Sequence, residues 1–165
     1  MPRAASAQQP GKVYGIGFLT PVFDPFTILS RIPFRLELLG WRQNVNARFE
    51  HRFAVDSDVR LVDLAGELAS LGVDVIVVPG TSAALAAKRG APRVQVVAIF
   101  DRDPVEAGAV ASLARPGGNV TGVATLGVEL TGKRLEVLRG AVPGLSRVGV
   151  LWNPTISEAA DHLLA

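Results

Sequence analysis

Short apolar runs rich in valine and isoleucine recur at 13–19, 73–78, 94–100, 120–124 and 148–152, separated by stretches with helical spacing. Runs that are apolar at successive rather than alternate positions read as strands buried on both faces. A further run, 47–54, alternates more and carries Arg48, Glu50 and Arg52, which predicts an edge strand. Between the runs, Leu61, Leu64, Ala65, Leu68 and Leu71 recur at i, i+3, i+4, i+7, so 58–71 is predicted as an amphipathic helix stopped by Gly72. The alanine-rich stretch 81–89 is predicted as a helix with Thr81 as N-cap and Gly90 as terminator. Asp103, Pro104 and Glu106 combine an N-cap acid, a first-turn proline and a capping-box glutamate, which predicts a helix running to the stop at Arg115, Pro116, Gly117 and Gly118. Another helix is expected over 130–141, closed by Pro143 and Gly144, and the start of one more over 157–165. In the first helical stretch, Pro33 is expected to break or kink the helix.

This alternation of strand and helix predicts an α/β fold: a three-layer αβα arrangement about a parallel sheet, with flavodoxin-like strand order 2-1-3-4-5. The expected division is a flexible tail over 1–11, a lobe over 12–127, a crossover helix and linker over 128–145, and the start of a second, truncated lobe from 146 to 165.

A chain of 165 residues suffices for one well-buried domain and is short for two. Hydrophobic residues at 48% against 19% charged place it among globular rather than disordered chains. Its 17 basic and 15 acidic residues are scattered, and no basic stripe points to nucleic acid. The absence of cysteine removes disulfides, thiolate nucleophiles and cysteine metal sites together. No apolar run approaches the roughly 20 residues of a membrane span. Near the start, Ala5-Ser6-Ala7 before Gln8-Gln9-Pro10 has the small-x-small form of a signal-peptide cleavage site, equally readable as a flexible tail.

In an open parallel sheet the ligand crevice lies beyond the carboxyl ends of the strands. The residues expected there are Thr20; Gly80, Thr81 and Ser82; Asp101 and Asp103; Thr125; and Asn153. These hydroxyl, amide and acid groups suit hydrogen bonding to a small polar ligand and make no catalytic set. Gly80-Thr81-Ser82 reads either as a capped strand-to-helix turn or as a seat for a ligand anion at a helix N-terminus. Asp101 reads as an acceptor for a ligand ammonium or as the partner of Arg102 or Arg93. Asp103 is already explained by helix capping. Two acids without a nearby histidine are too few for a metal. Gly15-Ile16-Gly17 lacks the third glycine of a dinucleotide fingerprint, no nucleophile elbow is present, and His51 and His162 lack triad partners. Trp41 and Trp152 are expected to pack rather than to bind.

Residues 110–122, VASLARPGGNVTG, closely resemble the signature of a bacterial ABC-transporter substrate-binding family that includes tryptophan/tyrosine-type binding proteins. So do Asp103-Pro104-Val105, GKRLEVL at 132–138, VLWNP at 150–154, Leu39-Gly40-Trp41, DVIVVPGT at 74–81 and AALA at 83–86. The resemblance covers roughly 13–154 and implies a periplasmic-binding-protein type I-like, non-enzymatic receptor. In that group two similar lobes close on a small ligand, an amino acid or related molecule, and deliver it to a membrane permease. It implies an exported, periplasmic protein, ligand contacts at Thr81, Ser82, Asp101 to Asp103, Thr125 and Asn153, and no cofactor, metal or nucleic-acid partner. Family chains are about twice as long, so the second lobe is expected to be cut short and self-association through it is possible. The same architecture serves sensor domains of regulatory proteins, which a linked DNA-binding segment would mark, and flavodoxin-like enzymes, which need a phosphate loop at the strand ends.

Overall fold

The computed structural model describes residues 11–21, 28–54, 58–124 and 130–150. The elements are β1 (Tyr14–Thr20), α1 (Ile28–Leu38), β2 (Ala47–Phe53), α2 (Asp58–Ser70), β3 (Val75–Pro79), α3 (Thr81–Gly90), β4 (Gln95–Phe100), β5 (Val120–Ala124) and α4 (Leu130–Ala141). All five strands are parallel, in the order β2-β1-β3-β4-β5. The predicted α/β class and strand order are those observed, and β2 is an edge strand.

Two apolar layers hold the sheet. On one face Leu61, Leu64, Ala65 and Leu68 of α2 and Ala83, Ala84, Ala86 and Ala87 of α3 pack on Ile76, Val78, Val96 and Ala98. On the other, Ile32 and Leu36 of α1 and Trp41 pack on Ile16, Phe18, Ala47 and Val77. Burying each large side chain contributes about 1.5–3 kcal/mol. That packing carries α1 through Pro33, so the helix continues to Leu38; of the two outcomes expected, a break or a kink, the break does not occur. Trp41 meets Tyr14 edge-on at 5.3 Å, a packing role as expected. Trp152 lies outside the described residues.

Between β4 and β5 the expected helix does not form. Asp103 does act as a cap, its carboxylate accepting from the N–H groups of Val105 and Glu106 at 2.7 and 3.1 Å. After one turn, however, Gly108 adopts φ +72°. Its N–H donates to Val105 O, and the Ala109 N–H donates to Pro104 O. This paired 5→2 and 6→1 bonding is a Schellman closure with glycine at C′. The remaining crossover is non-helical and still enters the core through Ala109 and Val110. Asn119 ties it down by donating to Ala91 O and Val94 O. A second difference lies after α4, where 148–150 are not in a strand and 151–152 fall outside the described residues.

Candidate functional site at the carboxyl ends of the strands

Because the strands are parallel, their carboxyl ends (Thr20, Phe53, Pro79, Phe100 and Ala124) lie along one edge of the sheet. The connections from β1 and from β3 run in opposite directions across the sheet, so the switch point falls between these two strands. There the ladder stops early. The pairing of β1 with β3 ends at Phe18↔Val77, while β1 stays paired with β2 to Thr20↔Phe53 and β3 with β4 to Pro79↔Ile99. The pairing of the two strands therefore ends short of their carboxyl ends, the place where an open parallel sheet is expected to hold its ligand crevice.

Thr20 forms one wall. It is buried, its carbonyl accepts from the Ala54 N–H at 2.9 Å, and its hydroxyl lies 3.5 Å from Arg52 O, long for a hydrogen bond. The other wall is the turn from β3 into α3. Gly80 is the N-cap, at φ +80°, with its N–H bonded to Ile99 O. Thr81 is the first helical residue and not the cap expected from the sequence. It is fully buried, and both its N–H and its hydroxyl donate to Asp101 Oδ1, at 2.9 and 2.6 Å. The Asp101 carboxylate thus performs the capping that the side chain of residue 80 cannot, and it sets a negative charge against the positive end of α3.

Register explains the meeting. Pro79 pairs with Ile99, so Thr81 and Asp101 each lie two residues beyond a paired position on neighbouring strands. The signal present in the sequence is the predicted adjacency of the third and fourth strands, whose ends carry Thr81 and Asp101. Ser82 follows on α3, half-buried, and its side chain makes no hydrogen bond among the described residues. Asp103 turns toward its own loop. Gly80, Thr81 and Asp101 are therefore one knot, with Ser82 beside it and Thr20 on the facing strand. Thr125 and Asn153 lie outside the described residues.

A further titratable group, His51, lies toward this end of the sheet, on β2. The His51 ring stacks on Phe18 at 4.8 Å and 14°, and next to Phe53 at 6.2 Å and 11°. The residue is exposed at its rim, and the partial desolvation of its ring pushes its pKa below the usual 6.5, partly opposed by Glu50. At the opposite edge of the sheet, Asp74 is held below its usual 3.8, chiefly by its hydrogen bond to Lys12, and also accepts from the Gly15 N–H. Among the described residues no helix is long and apolar enough to cross a membrane, and no group of three or more metal-ligating side chains occurs.

Comparison with known proteins places this architecture. A family model described as ABC transporter substrate binding protein matches residues 35–163. The chain is 30% identical over 119 residues to a tyrosine-binding protein of Clostridioides difficile (strain R20291), covering 72% of this chain and 34% of that protein. It superposes with TM-score 0.70 and 27% identity on the ligand-free, open structure of a substrate binding protein with adhesive properties from Clostridium difficile, over 92% of this chain and 51% of that one. A domain from Streptococcus pneumonia in complex with L-Trp matches with TM-score 0.60 and 25% identity, over 72% and 42%. A conserved domain protein from Vibrio cholerae, at 24% identity and TM-score 0.76, shares the fold. The chain spans about a third of the curated relative's length and about half of these solved chains.

Proposed function

The chain belongs to the ABC transporter substrate binding protein family, and from that premise we propose that it is the solute-recognising part of an importer. In this reading it acts outside the cytoplasmic membrane, in the periplasm, performs no catalysis, and hands a small ligand to a membrane permease. Residues 12–127 are the first lobe, 128–145 a crossover helix and linker, and 146–165 the start of a second lobe. The ligand is an amino acid, with an aromatic one favoured because relatives include a tyrosine-binding protein and a structure holding L-Trp.

The observation that carries this reading is the parting of β1 from β3 beside the Thr81–Asp101 knot. A crevice at a switch point, lined by small hydroxyls and one acid, suits recognition of a polar molecule by hydrogen bonds. The knot also refines the chemistry. Asp101 already occupies the Thr81 donors, so a ligand carboxylate seated there has to compete with it. The ammonium group is the better match for Asp101, leaving the carboxylate to Ser82. Thr20 lines the facing wall, and Thr125 and Asn153 complete the proposed contacts.

Calorimetric titration with L-Trp, L-Tyr and L-Ala tests this. Binding of an aromatic amino acid is expected, weakened by about 1–3 kcal/mol in Ser82→Ala or Asp101→Asn, the range for a hydrogen bond to a charged group. No heat with any amino acid, or affinity indifferent to both substitutions, would remove the assignment.

A further inference from the structure

Helix α3 is tied to the connection from β4 to β5 at both of its ends. Thr81 in its first turn donates to Asp101 Oδ1. Lys88 in its last turn donates from Nζ to Gly108 O at 2.8 Å and to Ala109 O at 3.1 Å. Thr81 and Lys88 are seven residues apart, about two turns, so they share one face of α3 and lie roughly 10 Å apart along its axis. Asp101 and Gly108 are also seven residues apart. Helix and connection therefore run side by side in the same direction, joined at matching points.

The stretch between those points is one stiff turn. Asp103 caps its start, Gly108 closes its end, and Pro104 and Ala109 are buried. Only Arg102 separates this turn from Asp101, so a shift of the turn is passed to the carboxylate that accepts from Thr81. Burying Pro104 and Ala109 holds the turn against the core but is non-directional. Two hydrogen bonds from one ammonium to successive carbonyls fix how the turn is rolled.

We infer that Lys88 is a positioning residue for the ligand site: from the far end of α3 it holds the 103–109 turn where Asp101 meets the start of the helix. The inference rests on the solute-binding reading of that site, and Lys88 acts through the turn rather than on the ligand. A plainer role for a lysine here is to complement the negative end of the helix dipole. Arg89, exposed in the same last turn, fills that role equally well and so separates the two.

Amide hydrogen exchange and calorimetry with L-Trp and L-Tyr test this together. Lys88→Met is expected to speed exchange at Thr81, Val105 and Glu106 by on the order of tenfold relative to the amides of β3, a local rather than a global opening. Affinity for the amino acid should fall about threefold or more in the same variant. Lys88→Arg keeps donors for both carbonyls and should restore both readings. Arg89→Met removes the same charge from the same helix end and should alter neither. Equal acceleration of all amides in Lys88→Met, unchanged exchange at Thr81, unchanged affinity, or the same losses in Arg89→Met would each overturn the proposal. A starting chain that gives no heat with either amino acid would instead remove the solute reading, and this proposal with it.

Discussion

Asp101 illustrates how one side chain ties two elements together. Its Oδ1 receives the first N–H of α3 and the hydroxyl of a fully buried threonine, so it caps a helix from the end of a neighbouring strand. Removing the acceptor strands two donors away from water, and Asp101→Ala is expected to lower stability by about 1–3 kcal/mol, which urea unfolding would measure. Thr81→Val should lose less, because the N–H bond survives; an equal or larger loss would show that the hydroxyl dominates. His51 makes a different kind of demand. Partial desolvation lowers its folded-state pKa, so the fold prefers the neutral ring and binds fewer protons there than the unfolded chain does. Stability is therefore present in full above the ordinary value of 6.5 and declines as pH falls through it toward the lower folded value. The depressed pKa of Asp74 adds a loss only in more acid solution, around and below its usual 3.8. The thermal midpoint should drop between pH 7 and 5.5, and His51→Phe should flatten that window alone. A midpoint with the same slope in both proteins would exclude His51 as its source.

At the scale of elements, glycine placement set both the successes and the misses of sequence reading. Gly72 ends α2 as expected, at φ +68°, with its N–H bonded to Ala69 O. Gly108 uses the same closure one turn after Asp103, and it cuts short a helix whose start signals were correct. Start signals were legible because capping is local. The stop is less legible, because the Pro116-Gly117-Gly118 sequence is a stronger terminator on paper than a lone glycine at 108. Gly108→Ala forces a side chain into left-handed backbone and should cost about 1 kcal/mol, read as a lower denaturation midpoint. A neutral result would mean that the turn relaxes into a longer helix at no cost. The strands were legible from their unbroken apolar runs, but burial on both faces, expected for all of them, fails for β4 and β5, where Val97 and Val123 are exposed. The knot at Thr81 was not, since it depends on which strand ends become neighbours and on a register that only pairing defines.

For the whole molecule, cohesion is concentrated where both faces of the sheet are covered. β3 sits centrally, paired on each side, with α2 and α3 packed on one face and α1 on the other. α4 has none of this support: none of its side chains is buried, and the ion pair within it, Lys133 to Glu136, lies on the surface. Surface pairs of that kind contribute little, about 0.3–0.5 kcal/mol within a helix. A helix of 12 residues without tertiary contacts is marginal in water, because nucleation is costly and few hydrogen bonds repay it. Hydrogen exchange should therefore separate the molecule into two tiers. In dilute solution the amides of α4 are expected to exchange within about tenfold of unprotected rates, while those of β3 wait for global opening and exchange orders of magnitude more slowly. If α4 proves as protected as β3, the helix is packed against a surface that its exposed side chains do not reveal.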